Sequence, residues 1–290
     1  MSLPSWHPRS ILESWKGAHL EATARPTGPW KPSELAKPLY IFVIVAVSLT
    51  LQEYFGGPQT MLDFLSFLDK PSSPVDSPFL YGLVSWMKPA DGTSLYLKLV
   101  RSDYFELWNL GYWAAWRVLG FLVIPAIAIV AFPGFKFSET GLSARSLLSH
   151  LWVYVVLFIF PLIGVIVVSY TDEFSTYYPF YSNAHESLFD FAVWEAFYIA
   201  QFFSLEFFFR GFMIQPLRKT LGYNAIWAMM IPYVMIHYGK PLPECFAAII
   251  AGVVLGTIAM LSRSIWGGFL IHVSVALSMD LAAIWQVHWR

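Results

Sequence analysis

Charged residues are scarce in this sequence. Asp, Glu, Lys and Arg make up 13% of its 290 residues, against roughly 25% in an ordinary soluble domain. That shortage excludes a water-covered surface over most of the chain, and the 57% of hydrophobic and 18% of aromatic residues put lipid in its place. Charge of one sign is lacking too. The formal net charge is −1, so the basic face that a nucleic-acid partner demands is absent. The single cysteine, Cys245, excludes an internal disulfide and has no Cys/His companions for a structural zinc site. Residues 1–38 lack the apolar core and small-residue cleavage site of a secretory signal. They are expected to form a polar cytoplasmic tail.

What abounds is apolar sequence in runs of membrane length. A spanning helix needs about 20 mostly apolar residues, because hydrocarbon offers no partner to a backbone N–H or C=O. Seven segments are expected to cross, at residues 39–54, 112–132, 151–170, 188–213, 225–237, 246–261 and 265–287. The expected fold class is therefore an all-α polytopic transmembrane helix bundle. It divides into the tail 1–38, an N-terminal membrane region 39–187 with an external connection at 56–103, and a core at 188–290. The apolar run 61–68 within that connection is expected to lie along the surface.

Lys and Arg in short loops mark the cytoplasmic side. Arg9, Lys16, Arg25, Lys31 and Lys37 precede the first span, and Lys136 with Arg145, Arg218 with Lys219, and Arg263 fall in alternate later connections. The N-terminus is thus expected in the cytoplasm and the C-terminus outside. Arg117, near the outer end of its span, is expected to snorkel to the headgroups.

A charge at mid-bilayer costs about 2.5–3.5 kcal/mol, so ionisable groups within spans are candidates for pairing or for function. Glu206 and Arg210 stand four apart on one helical face, the acid first, which is the favourable orientation. His237 closes the fifth expected span and His272 lies in the seventh. At a rise of about 1.5 Å per residue, Glu206 is roughly 10–17 Å from the cytoplasmic end of its span, His237 about 18 Å and His272 about 10 Å. All three can share a layer. Asp280 lies about two turns beyond His272, and Glu195 and Glu244 read as interfacial. Ala248, Gly252 and Gly256 form a small-residue stripe that lets neighbouring helices approach closely.

In order and spacing these residues resemble the CPBP (Abi) intramembrane proteases, which include CAAX prenyl endopeptidases and bacteriocin-processing enzymes. The family pattern is EExxxR, FxxxH and HxxxN on three helices. Glu206 to Arg210 matches the second glutamate and the arginine, Tyr233 to His237 matches FxxxH with tyrosine for phenylalanine, and His272 matches the last histidine. The resemblance spans about 189–281. It departs twice: Leu205 stands where the family has its first glutamate, and Ala276 where it has asparagine. The chain is thus similar to a divergent, single-glutamate member. Ser274 and Asp280 are the candidates to replace the missing asparagine.

The resemblance implies an integral membrane protein of a bacterial inner membrane that hydrolyses a peptide bond in a membrane-anchored or lipidated protein. Glu206, assisted by His237, would take a proton from water, His272 would stabilise the oxyanion, and Arg210 would hold the carboxylate. No cofactor is expected. Zinc is the alternative, since one Glu and two His are an acceptable ligand set, but no HExxH is present and the residues come from three helices. Serine chemistry at Ser204 or Ser274 lacks a GxSxG elbow or a lysine partner. Two other classes remain: a transporter with charged residues in its spans, and an inactive scaffold derived from a protease, for which Leu205 and Ala276 speak.

Overall fold

The computed structural model describes residues 13, 16, 17, 32–69, 94–144 and 147–289. Most of the expected tail, the middle of the external connection and Arg145 lie outside the described residues. Among the described residues there is no strand. The helices are α1 (Pro32–Phe55), α2 (Pro58–Asp69), α3 (Leu95–Val100), α4 (Phe105–Val118), α5 (Ile124–Ala131), α6 (Leu151–Val168), α7 (Asp172–Tyr177), α8 (Leu188–Glu206), α9 (Gln215–Leu221), α10 (Asn224–Met235), α11 (Leu242–Ser262) and α12 (Trp266–Trp289). Two π-helical turns, Leu119–Val123 and Phe207–Ile214, join α4 to α5 and α8 to α9. Each pair therefore runs on as one long helix.

Among the described residues six stretches are long and apolar enough to cross a membrane: Leu35–Phe55, Phe105–Ala131, Leu151–Val168, Leu188–Leu221, Leu242–Ser262 and Trp266–Gln286. The all-α polytopic bundle is as expected. The remaining expected span is α10, which has 12 residues and rises only about 18 Å at 1.5 Å per residue. Beyond it the chain turns through residues 236–241 to enter α11. The turn is partly open, with Tyr238 exposed, while α10 itself packs against α11 and the π-helical turn at 207–214.

Long apolar helices assemble here through shape. Gly252 lies against Met230 and Tyr233, and Gly256 against Ile214, Ile226 and Met229, where an added Cβ would come within 3.1–3.2 Å of the nearest atoms. The small-residue stripe thus draws α10 and the π-helical turn onto α11. All eight residues of that turn are buried. It is the centre of the largest apolar cluster, in which Phe207, Phe208, Phe209 and Phe212 meet Phe121, Ile226 and Tyr233. Around it, α8 packs along α4 and α12, and α12 packs along α6.

Three connections meet at one face. Glu139, between α5 and α6, binds Lys37 of α1 and Lys219 of α9, the latter at 2.6 Å. Partial burial alone would raise the Glu139 carboxyl; the hydrogen bonds and charges of the two lysines hold it below the usual range instead. The run 61–68 lies in α2, with Met61 and Leu65 buried and Phe64 exposed. One surface expectation gives way. Arg117 turns inward, because Gln52 of α1 offers Oε1 at 3.1 Å and the rings of Trp113 and Phe121 flank the guanidinium.

Candidate active site

Three helices bring the expected residues together. Glu206 ends α8 and Arg210 lies in the π-helical turn that follows. The turn sets the Arg210 Nη1 atom 3.2 Å from Glu206 Oε1, with both side chains fully buried. His272, one turn and a half into α12, places Nδ1 2.6 Å from the same Oε1. Its other ring nitrogen, Nε2, is 2.9 Å from the hydroxyl of Tyr233 on α10. His237, four residues on, holds Nδ1 2.8 Å from the backbone carbonyl of Tyr233. The two histidines therefore flank one tyrosine, with ring centroids 4.8 Å and 6.1 Å from it.

The hydrogen-bond inventory fixes the proton positions. An ionised carboxylate only accepts, so His272 Nδ1 carries the hydrogen that Glu206 receives, and neutral Nε2 accepts from the Tyr233 hydroxyl. A backbone carbonyl likewise accepts from His237 Nδ1, leaving Nε2 of that ring as an acceptor. Three features face the Glu206 carboxylate: Arg210, the His272 ring nitrogen Nδ1 and the first turn of α12. That turn approaches closely because residue 268 is glycine. A Cβ there would lie 2.3 Å from Glu206 Oε2.

Beside this cluster is a cavity of about 540 Å³, lined by Tyr233, His237 and His272 and, for the rest, mainly by apolar side chains such as Leu157, Phe160, Val254 and Met279. Glu206 does not line it. Its carboxylate sits one layer behind His272. Arg210, also out of reach of the cavity, lies 4.2 Å from the Tyr233 ring centroid and makes no hydrogen bond of sound geometry.

The other two candidate residues lie elsewhere. Ser274 takes no place in the cavity wall; its carbonyl accepts from Ser278. Asp280 is fully buried but serves a different cluster, accepting from Trp194 Nε1 at 2.8 Å and from the Phe180 backbone N–H at 3.3 Å. Leu205 belongs to the apolar core, and Ala276 both packs near Tyr198 and lines the cavity. Two residues of the site went unassigned in the sequence: the Tyr233 hydroxyl and Gly268. The visible signals were a tyrosine in the FxxxH position and a Gly-Gly pair one turn before His272. Among the described residues no three His, Cys, Asp or Glu side chains converge within reach of one metal ion.

The site thus defines a membrane helix bundle with a buried carboxylate–imidazole pair facing an apolar cavity. Residues 187–278 match the family described as type II CAAX prenyl endopeptidase Rce1-like, and this part of the chain is similar to the CPBP/CAAX proteases. No curated protein and no solved structure matches the chain.

Proposed function

We propose that the protein is an intramembrane endopeptidase that hydrolyses a peptide bond of a membrane-associated protein, with His272 as the base and Glu206 as the group that orients and charges it. The observation that carries this reading is the 2.6 Å contact between Glu206 and His272 at the wall of the cavity. A carboxylate on Nδ1 orients the ring, aims Nε2 at the Tyr233 hydroxyl on the cavity wall and stabilises the imidazolium that forms on proton uptake. This exchanges the roles read from the sequence: Glu206 lies too deep to meet water, whereas His272 lines the cavity. His237, through its Nε2, positions the attacking water or the scissile amide.

The apolar lining suits a lipidated or membrane-embedded chain end, as the family's name implies for its members. The N-terminus is placed in the cytoplasm, on the side of the Lys37–Glu139–Lys219 bracket, by the lysine and arginine pattern. Water reaches the histidines through the cavity.

The test is to express wild type and Glu206→Gln in the native cell and compare the termini of membrane-associated proteins. Gln keeps the size of the side chain and removes its charge, so cleavage is expected to fall by about 10³–10⁴-fold with the protein still folded. Identical termini in the two strains would refute the peptidase reading and favour an inactive scaffold, for which the buried Leu205 and Ala276 are the supporting observation.

A further inference from the structure

The family pattern calls for phenylalanine at position 233, and a structural role needs no more than the ring. Tyrosine adds one hydroxyl, and that hydroxyl sits 2.9 Å from His272 Nε2, the atom through which the base would act. No water or substrate can reach that lone pair directly while the phenol occupies it. Yet Tyr233 and both histidines line the cavity. We propose that Tyr233 is a catalytic residue that relays the proton between His272 and the substrate. The inference rests on the peptidase reading above and adds a group to it.

The step balances. As the water oxygen bonds to the carbonyl carbon, the π pair moves to the carbonyl oxygen. The water proton passes to the Tyr233 oxygen while the phenolic proton passes to His272 Nε2. On collapse the C–O double bond re-forms and the C–N bond breaks, its pair staying on nitrogen. Nitrogen takes the phenolic proton, and His272 returns its own to the Tyr233 oxygen. The tyrosine ends as it began, and one water has been added across the amide.

The surroundings suit such a relay. The Arg210 guanidinium lies 4.2 Å from the centre of the Tyr233 ring, where a cation steadies negative charge gathering on the phenol. Phe209 meets the same ring edge-on at 5.3 Å, so the hydroxyl is aimed by packing as well as by its hydrogen bond. Ala276, one turn beyond His272, leaves the cavity wall without the amide donor of the family pattern. Tyr233 is one of the polar groups on that wall and the one in contact with His272 Nε2.

The experiment compares Tyr233→Phe with wild type and Glu206→Gln, first by terminus analysis of membrane proteins in cells, then with purified proteins on a peptide spanning the bond that wild type cleaves. Phenylalanine keeps the ring against Arg210, Phe209 and His237. A relay predicts a fall in kcat of about 10²–10⁴-fold with KM little changed, and a proton inventory in H2O/D2O mixtures that is curved in wild type and linear in the variant. Wild-type turnover by Tyr233→Phe, with Glu206→Gln inactive, would overturn the relay and leave the peptidase reading standing. Activity in Glu206→Gln would overturn both. Should Tyr233→Phe not fold, 3,5-difluorotyrosine at position 233 decides: a relay shifts the kcat–pH profile to lower pH, and an unmoved profile refutes it.

Discussion

Two polar clusters lie within the same bundle, and they differ in how their atoms are satisfied. In the inner one, Glu206, Arg210, His272 and Tyr233 come from α8, its π-helical turn, α12 and α10, yet Glu206 Oε2 and the Arg210 nitrogens make no hydrogen bond. In the outer one, Asp280 accepts from Trp194 and the Phe180 backbone, Tyr178 donates to Glu244 at 3.1 Å, and Lys240 donates to Tyr178 at 3.2 Å. Asp190 accepts from Tyr181 at 2.7 Å. Burial, reinforced by Glu244, pushes the Tyr178 hydroxyl above the ordinary tyrosine range, and burial draws Lys240 down. The outer cluster spends its polar atoms on fastening the 171–187 connection to α8, α11 and α12. The inner one lines a cavity with Tyr233 and His272 and leaves the polar atoms of Glu206 and Arg210 unpartnered behind them. Incomplete satisfaction of buried polar groups costs stability, and it is tolerated where chemistry uses it.

The largest effect that can break this contrast comes from Gly268→Ala. Its Cβ would lie 2.3 Å from Glu206 Oε2, so the carboxylate must shift off His272. A displacement of about 1 Å lowers turnover by about 10²-fold, while overpacking costs about 1–3 kcal/mol. Activity and thermal unfolding measured together give the answer, and unchanged turnover would mean that the Glu206–His272 contact is structural.

A middle-sized effect sharpens the other half. Asp280→Asn turns an acceptor into a half-donor, so one of the two N–H groups it serves loses its partner at a cost of about 1–3 kcal/mol. The midpoint of unfolding in detergent is expected to fall, with cleavage per folded molecule following stability alone. Loss of cleavage without loss of stability would move Asp280 into the chemistry.

The smallest effect lies at the Glu139 bracket. The folded carboxyl is held below its ordinary value, so it contributes stability above the unfolded glutamate value of about 4.3, and that contribution disappears as pH falls through the folded value. Each exposed pair is worth about 0.2–1 kcal/mol. Glu139→Gln is therefore expected to lower the unfolding midpoint slightly at pH 7 and by progressively less as pH falls below the ordinary glutamate value. A drop independent of pH would show that the ion pairs contribute nothing.

Most of the fold could be read from hydropathy, because in lipid the backbone has to be helical wherever it is apolar for long enough. The exception is α10, which stops at 12 residues because the chain turns at 236–241 to enter α11. At the site, the Glu206–Arg210 pair was legible from i,i+4 spacing. The sharing of one depth by Glu206 and His272 was legible from helix rise. The division of labour was not: which side of His272 faces Glu206 and which faces Tyr233 depends on rotamers of residues 66 and 39 positions apart. The partnership of Asp280 with Trp194, 86 residues away, and the inward turn of Arg117 toward Gln52, 65 residues away, were hidden for the same reason.

The wide turn after Glu206 has a consequence for anyone counting positions along this helix. A π-helical stretch closes its hydrogen bonds over five residues rather than four, as the Gln215 N–H does on the Arg210 carbonyl, so the helix before Phe207 and the helix after Ile214 are out of phase. A residue removed anywhere in 207–214 would let the α-helical pattern run through and would rotate all that follows by about 100°. A deletion among residues 207–209 is therefore a more severe change than replacing any one of those phenylalanines, because it swings the arginine away from the acid it accompanies.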